Sequence, residues 1–201
     1  MKKNLLTFVV ALFTLSCMAQ EHLSFKGIPI EGSMTEFCNK LEQKGFVKLE
    51  HKDGNSATMF VGEFVGSEAI VGVNADDNGE NVFSVAVIFQ PSGEWKVLTE
   101  TYDFYKNLYI RKYGKPTQVE EINMAQSDNN TSLMVQLNDR KATWASLWEI
   151  TGGEIELYIE KTETLMGAVV IRYRDAQNKE AVIQKYQKRK SNHPGLICNK
   201  H

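Results

Sequence analysis

Apolar residues recur at every second position in two stretches that read alike. The clearer is Glu149-Ile150-Thr151-Gly152-Gly153-Glu154-Ile155-Glu156-Leu157-Tyr158-Ile159, and 86 positions earlier stands Glu63-Phe64-Val65-Gly66-Ser67-Glu68-Ala69-Ile70-Val71-Gly72-Val73. Each runs Glu, apolar, any residue, Gly, small, Glu, and then alternates, which predicts a β-hairpin. The same offset lays Val82–Phe89 over Ala168–Asp175 without a gap. Together they predict an α+β chain with an antiparallel sheet, built from an internally duplicated hairpin-plus-strand unit.

Strand alternation assigns faces. Ala69, Val71 and Val73 match Ile155, Leu157 and Ile159; Phe83, Val85 and Val87 match Val169, Ile171 and Tyr173. These sets, with Trp144, Ser146, Trp148 and Ile150, are the expected core faces. The opposite faces differ. The first copy shows Ile70, Gly72, Val82, Ala86 and Ile88, the second Glu156, Tyr158, Glu160, Arg172 and Arg174. Apolar faces seek cover and charged ones tolerate water, so the first copy is expected deeper and the second solvated.

Helical periods punctuate these strands, with the helices expected on one face of the sheet. Leu23–Ile30 reads as an extended lead-in. Ser33 and Glu36 form a capping box ahead of Met34, Phe37, Cys38 and Leu41, and Gly45 closes that helix. Asp53-Gly54-Asn55 is a turn. About Glu94–Tyr113 the stripe Trp95, Leu98, Tyr102, Tyr105, Tyr109, Tyr113 marks a long helix packed on the sheet, with Ser92 as the expected cap. Ser127–Ser132 is a loop, and Leu133–Asn138 fits helix and strand equally. A helix over Asp175–Lys190 follows the last strand, with Ala181, Val182 and Tyr186 as its buried side.

The first residues carry a different signal. Lys2 and Lys3, the apolar run Leu5–Leu15 and Cys17-Met18-Ala19 predict a secretory signal peptide over 1–19, cut before Gln20. The alternative keeps Cys17 as a lipid anchor. Cleavage removes two of 23 basic residues and none of 25 acidic ones, moving the formal charge from −2 to −4. A mildly acidic chain without a basic stripe argues against nucleic acid, and no further apolar run is long enough to span a membrane. Two intimately packed repeats are expected, 20–92 and 93–201. An exported chain reaches an oxidising compartment, where Cys38 and Cys198 would be the remaining cysteines. A bridge between them is expected, the alternative being a buried free Cys38.

Catalytic chemistry leaves no recognisable trace. Asn74–Gly79 begins like a calcium loop but lacks the closing carboxylate at Val85, so a hairpin turn is expected. His22, His51, His193 and His201 have no partners at metal-ligand spacing. Nucleotide fingerprints and a Gly-x-Ser-x-Gly elbow are absent, and no cofactor is expected. Glu156, Tyr158, Glu160, Arg172 and Arg174 share one face and are the candidate binding residues. They are read either as cross-strand ion pairs or as a recognition surface with Tyr158 as anchor.

The segments Gly32–Leu41, Glu63–Val73, Tyr113-Gly114-Lys115-Pro116 and Glu149–Ile159 together resemble tandem β-lactamase-inhibitor-protein-like domains. They are also similar to small outer-membrane-assembly lipoproteins and to small secreted proteins of Gram-negative bacteria. No binding residue carries over from that resemblance, and the leading expectation is an exported, non-catalytic binding or envelope-associated protein, periplasmic or extracellular, with an envelope or secreted protein as partner. The alternatives are a secreted hydrolase with dispersed active-site residues and a lipid-anchored assembly factor.

Overall fold

The computed structural model describes residues 21–50, 57–123 and 129–192, the side chains of 123 and 185–192 excepted. The leader 1–19 with Cys17, the Asp53-Gly54-Asn55 turn, Cys198 and the side chain of Tyr186 lie outside the described residues.

The described residues begin with a small hairpin, β1 (Ser24–Phe25) and β2 (Ile28–Pro29), where a single extended segment was expected. α1 (Met34–Gln43) follows with its capping box formed by Ser33 and Glu36. It ends at Gly45, whose φ of 89° admits the bond from Phe46 N to Leu41 O at 3.2 Å that closes a Schellman turn. Then come β3 (Val47–Lys48), β4 (Ala57–Phe64), β5 (Ser67–Ala75) and β6 (Val82–Ile88). The second half runs α2 (Trp95–Tyr113), β7 (Gln118–Asn123), α3 (Asn130–Asn138), β8 (Ala142–Ile150), β9 (Gly153–Glu163) and β10 (Met166–Asp175), with α3 lacking a counterpart in the first. α4 (Ala176–Asn192) ends the described chain.

β3 to β10 form one antiparallel sheet in the order β3-β4-β5-β6-β10-β9-β8-β7, so the fold is α+β and its two halves meet at the β6–β10 pair. The two hairpins have the same register: Val61 pairs with Ile70 and Leu147 with Glu156, while Phe64 pairs with Ser67 and Ile150 with Gly153. The third strand slips by two. Val71 faces Val87, whereas Leu157 faces Ile171 rather than Tyr173. One row thus crosses six strands as Phe60, Val71, Val87, Ile171, Leu157, Ser146, and all six are buried.

This row lies in the main core, beneath α1, α2 and α3. The aromatic stripe of α2 packs as expected, with Trp95, Leu98, Tyr102, Tyr105 and Tyr109 all buried. Tyr102 shares a hydrogen bond with Ser146 Oγ at 2.7 Å, so the one hydroxyl in the buried row is satisfied. Ser92 does not cap α2. The N-cap is Glu94, and Asn130 of α3 reaches across to accept from Trp95 N at 2.6 Å. The segment that fitted both helix and strand is helical, starting inside the expected loop, because Asn129 caps it.

Three expectations change. A bulge between Asn74 and Ala75 sets Ala75 opposite Val82, so Val82 enters the core and Phe83 is left half-buried. The apolar outer face of the first half is only partly deep: Gly72 is buried, but Ile70 is 39% exposed and Ala86 and Ile88 are half-buried. The charged face of the second half is not openly solvated: Glu156, Tyr158, Arg172 and Arg174 are half-buried. The cause is α4, which leaves β10 without an intervening loop and packs on β6, β9 and β10 from the side opposite α1–α3. Val182 is buried there, whereas Ala181 is exposed. No described helix is long and apolar enough to cross a membrane.

Candidate functional site

Strand alternation puts Glu154, Glu156, Tyr158 and Glu160 of β9 on the outer face, beside Arg172 and Arg174 of β10. Arg174 donates to Glu154 Oε1 at 2.6 Å and to Glu156 Oε2 at 2.7 Å, joining two carboxylates through one guanidinium. Arg172 lies 3.6 Å from Glu156 Oε2, and its guanidinium carbon is 4.8 Å from the centre of the Tyr158 ring. Glu160 is exposed and forms no ion pair with either arginine. Four of the five expected residues therefore touch one another, and the fifth stands apart.

Two members were not expected. Glu154 was read only as part of the hairpin motif and left out of the outer-face set, although it shares parity with Glu156. Lys179 comes from α4 and donates to Glu154 Oε1 at 2.9 Å. No strand pattern could reveal that contact, since it depends on where α4 lies.

Burial favours a neutral Glu154, but the bonds and charges of Arg174 and Lys179 outweigh it and hold the carboxyl below its ordinary pKa. Glu154 therefore contributes stability above pH about 4.3 that fades as pH falls through its lower folded-state value. Glu154→Gln is expected to lose about 1 kcal/mol at pH 7 and to match the parent below that value. Urea unfolding at both pH values checks it, and an equal deficit at both would contradict the ion-pair account. Burial pushes the Tyr158 pKa up, so the phenol remains neutral.

Beside the network α4 and the β8–β9 turn enclose a groove of about 610 Å³. Glu149, Glu154 and Glu180 line it with Arg174 and Lys179, and Ile150 and Ile183 supply apolar wall. Glu154 is satisfied by the two cations, whereas Glu149 and Glu180 form no ion pair among the described residues. The groove thus has an unmatched negative charge next to apolar surface.

The start of α4, which walls the groove, is held by Asp175, which is fully buried. Asp175 caps α4 by accepting from Asn178 N at 2.9 Å, and its other oxygen accepts from Leu23 N at 2.9 Å and lies 3.0 Å from His22 Nδ1. This Asp–His contact superficially suggests hydrolytic chemistry. However, His22 Nε2 faces the Glu31 carboxylate at 3.4 Å, where a nucleophile would be needed.

The Asn74–Gly79 turn is organised by Asp76, which accepts from Glu80 N at 2.9 Å. No group of three metal-ligating side chains occurs among the described residues. Cys38 is a free thiol in the core, with burial pushing its pKa up, so the expected bridge to Cys198 gains no support. In the native chain Cys38 is expected to react with a thiol reagent roughly 100-fold more slowly than in denaturant; equal rates would show that the first helix does not shield it.

Comparison with known proteins gives no match: no family model fits the chain, and no curated protein and no solved structure matches it.

Proposed function

We propose that this is an exported, non-catalytic binding protein of the periplasm or the extracellular space. Its recognition surface is the groove under α4 and the adjoining charged face. The carrying observation is that Arg174, Glu154, Glu156 and Lys179 are locked by mutual hydrogen bonds while Glu149 and Glu180 remain available beside Ile150 and Ile183. A rigid paired network positions, and unpaired carboxylates next to aliphatic wall select a cation on an apolar body. Lys or Arg side chains of a partner protein, flanked by aliphatic residues, have that chemistry. A tandem arrangement of the β-lactamase-inhibitor-protein kind is part of the proposal, supported by the like register of the two hairpins.

Isothermal titration with the peptide acetyl-Lys-Leu-Lys-Leu-Lys-amide tests the reading. Saturable binding is expected, weakened about tenfold in the Glu149→Gln/Glu180→Gln double variant. Equal binding of a Glu-Leu peptide of the same length would contradict it. Export is tested separately by mass spectrometry: a mature chain starting at Gln20 supports it, and a lipid-modified Cys17 would favour the anchored alternative.

A further inference from the structure

A second cavity, of about 490 Å³, lies on the core side of the sheet, where the last turns of α2 meet the β1–β2 hairpin and the β8–β9 turn. Its volume is that of a small-molecule site. Phe64, Leu108 and Ile150 provide apolar wall, and Tyr109 and Tyr173 also line it. Both tyrosines are buried, and their hydroxyls are hydrogen-bonded to each other. A hydroxyl pair uses one of its two protons in that bond. The other proton has no acceptor among the described residues. Burial raises both phenol pKa values far above the ordinary one, so both remain neutral donors.

The cavity is also lined by two exposed lysines and one exposed acid, Lys26, Lys112 and Glu21. Lys26 Nζ lies 5.8 Å from the Phe64 ring centre and Lys112 Nζ 4.8 Å from that of Tyr113, and neither forms an ion pair among the described residues. Two ammonium groups over aromatic rings, against one carboxylate, make the lining net positive.

We propose that this cavity binds a small organic acid with an apolar body. Its anionic group stays with Lys26 and Lys112, because burying it deeper would cost far more. An oxygen at its inner end accepts the spare hydroxyl proton of the Tyr109–Tyr173 pair. This site is separate from the groove under α4 and does not rest on it.

The full chain is titrated with 8-anilinonaphthalene-1-sulfonate, an aromatic anion, followed by fluorescence. One saturable site is expected. Lys112→Glu weakens it about tenfold, Leu108→Trp abolishes it by filling the space, and Ile70→Lys on the outer sheet face leaves it unchanged. Displacement then probes the inner end. 4-Acetylbenzoate is expected to compete about tenfold better than 4-isopropylbenzoate, which lacks the oxygen. Removing both hydroxyls in the Tyr109→Phe/Tyr173→Phe double variant is expected to erase that preference. Absence of a saturable site, binding indifferent to Lys112→Glu, or loss on Ile70→Lys overturns the proposal. Equal competition by the two benzoates removes the hydroxyl pair from it.

Discussion

Replacing Trp148 by alanine is expected to destabilise the fold by about 3–5 kcal/mol. The residue alternates in phase with Trp144 and Ser146 on β8, which places its indole under α2, where it is 1% exposed. Its ring centre lies 5.5 Å from that of Tyr109. Its Nε1 donates to the carbonyl of Gly114 at 3.0 Å, tying β8 to the end of α2. Alanine removes the indole, leaves a cavity between helix and sheet, and deprives that carbonyl of its partner. Phenylalanine keeps most of the packing and loses the bond, so a smaller loss of about 1–2 kcal/mol is expected. Urea unfolding of the three proteins separates the two contributions. A parent-like midpoint for Trp148→Ala would mean that this face is not the core.

Asp175→Ala is expected to cost about 3–5 kcal/mol. One buried carboxylate serves three elements: it ends β10, caps α4 through Asn178 N, and anchors the N-terminal segment through His22 and Leu23. Alanine leaves the Leu23 and Asn178 amides without their acceptor where the side chain is fully buried. Asp175→Asn keeps one carbonyl oxygen, so a smaller loss is expected. Because the cap sets the start of α4, Asp175→Ala should also weaken peptide binding in the groove. A stable variant with unaltered binding would show that α4 is held by other contacts.

Elements whose evidence is local were legible in the sequence. The capping box of α1, the stripe of α2 and the alternation of β4, β5, β8 and β9 each depend on neighbours within a few positions, and all appear in the structure. β7 was not foreseen. Gln118-Val119-Glu120-Glu121-Ile122-Asn123 is an edge strand whose two apolar residues are both substantially exposed, so it shows no buried period. The bulge at Asn74 and the two-residue slip of the third strand are properties of pairing, which an ungapped offset does not contain. The candidate site divides in the same way. Arg172, Arg174, Glu156 and Tyr158 follow from parity on adjacent strands. Lys179, the groove wall and the cover over the charged face follow from the docking of α4, which is a long-range event.

The most direct test of the groove as a recognition surface is a two-dimensional amide NMR titration of the full chain with acetyl-Lys-Leu-Lys-Leu-Lys-amide. The account predicts saturable shifts centred on Glu149, Gly152, Gly153, Lys179 and Ile183, suppressed in the Glu149→Gln/Glu180→Gln variant. Shifts centred on the outer face of β4 and β5, or shifts indifferent to the two glutamates, would contradict it.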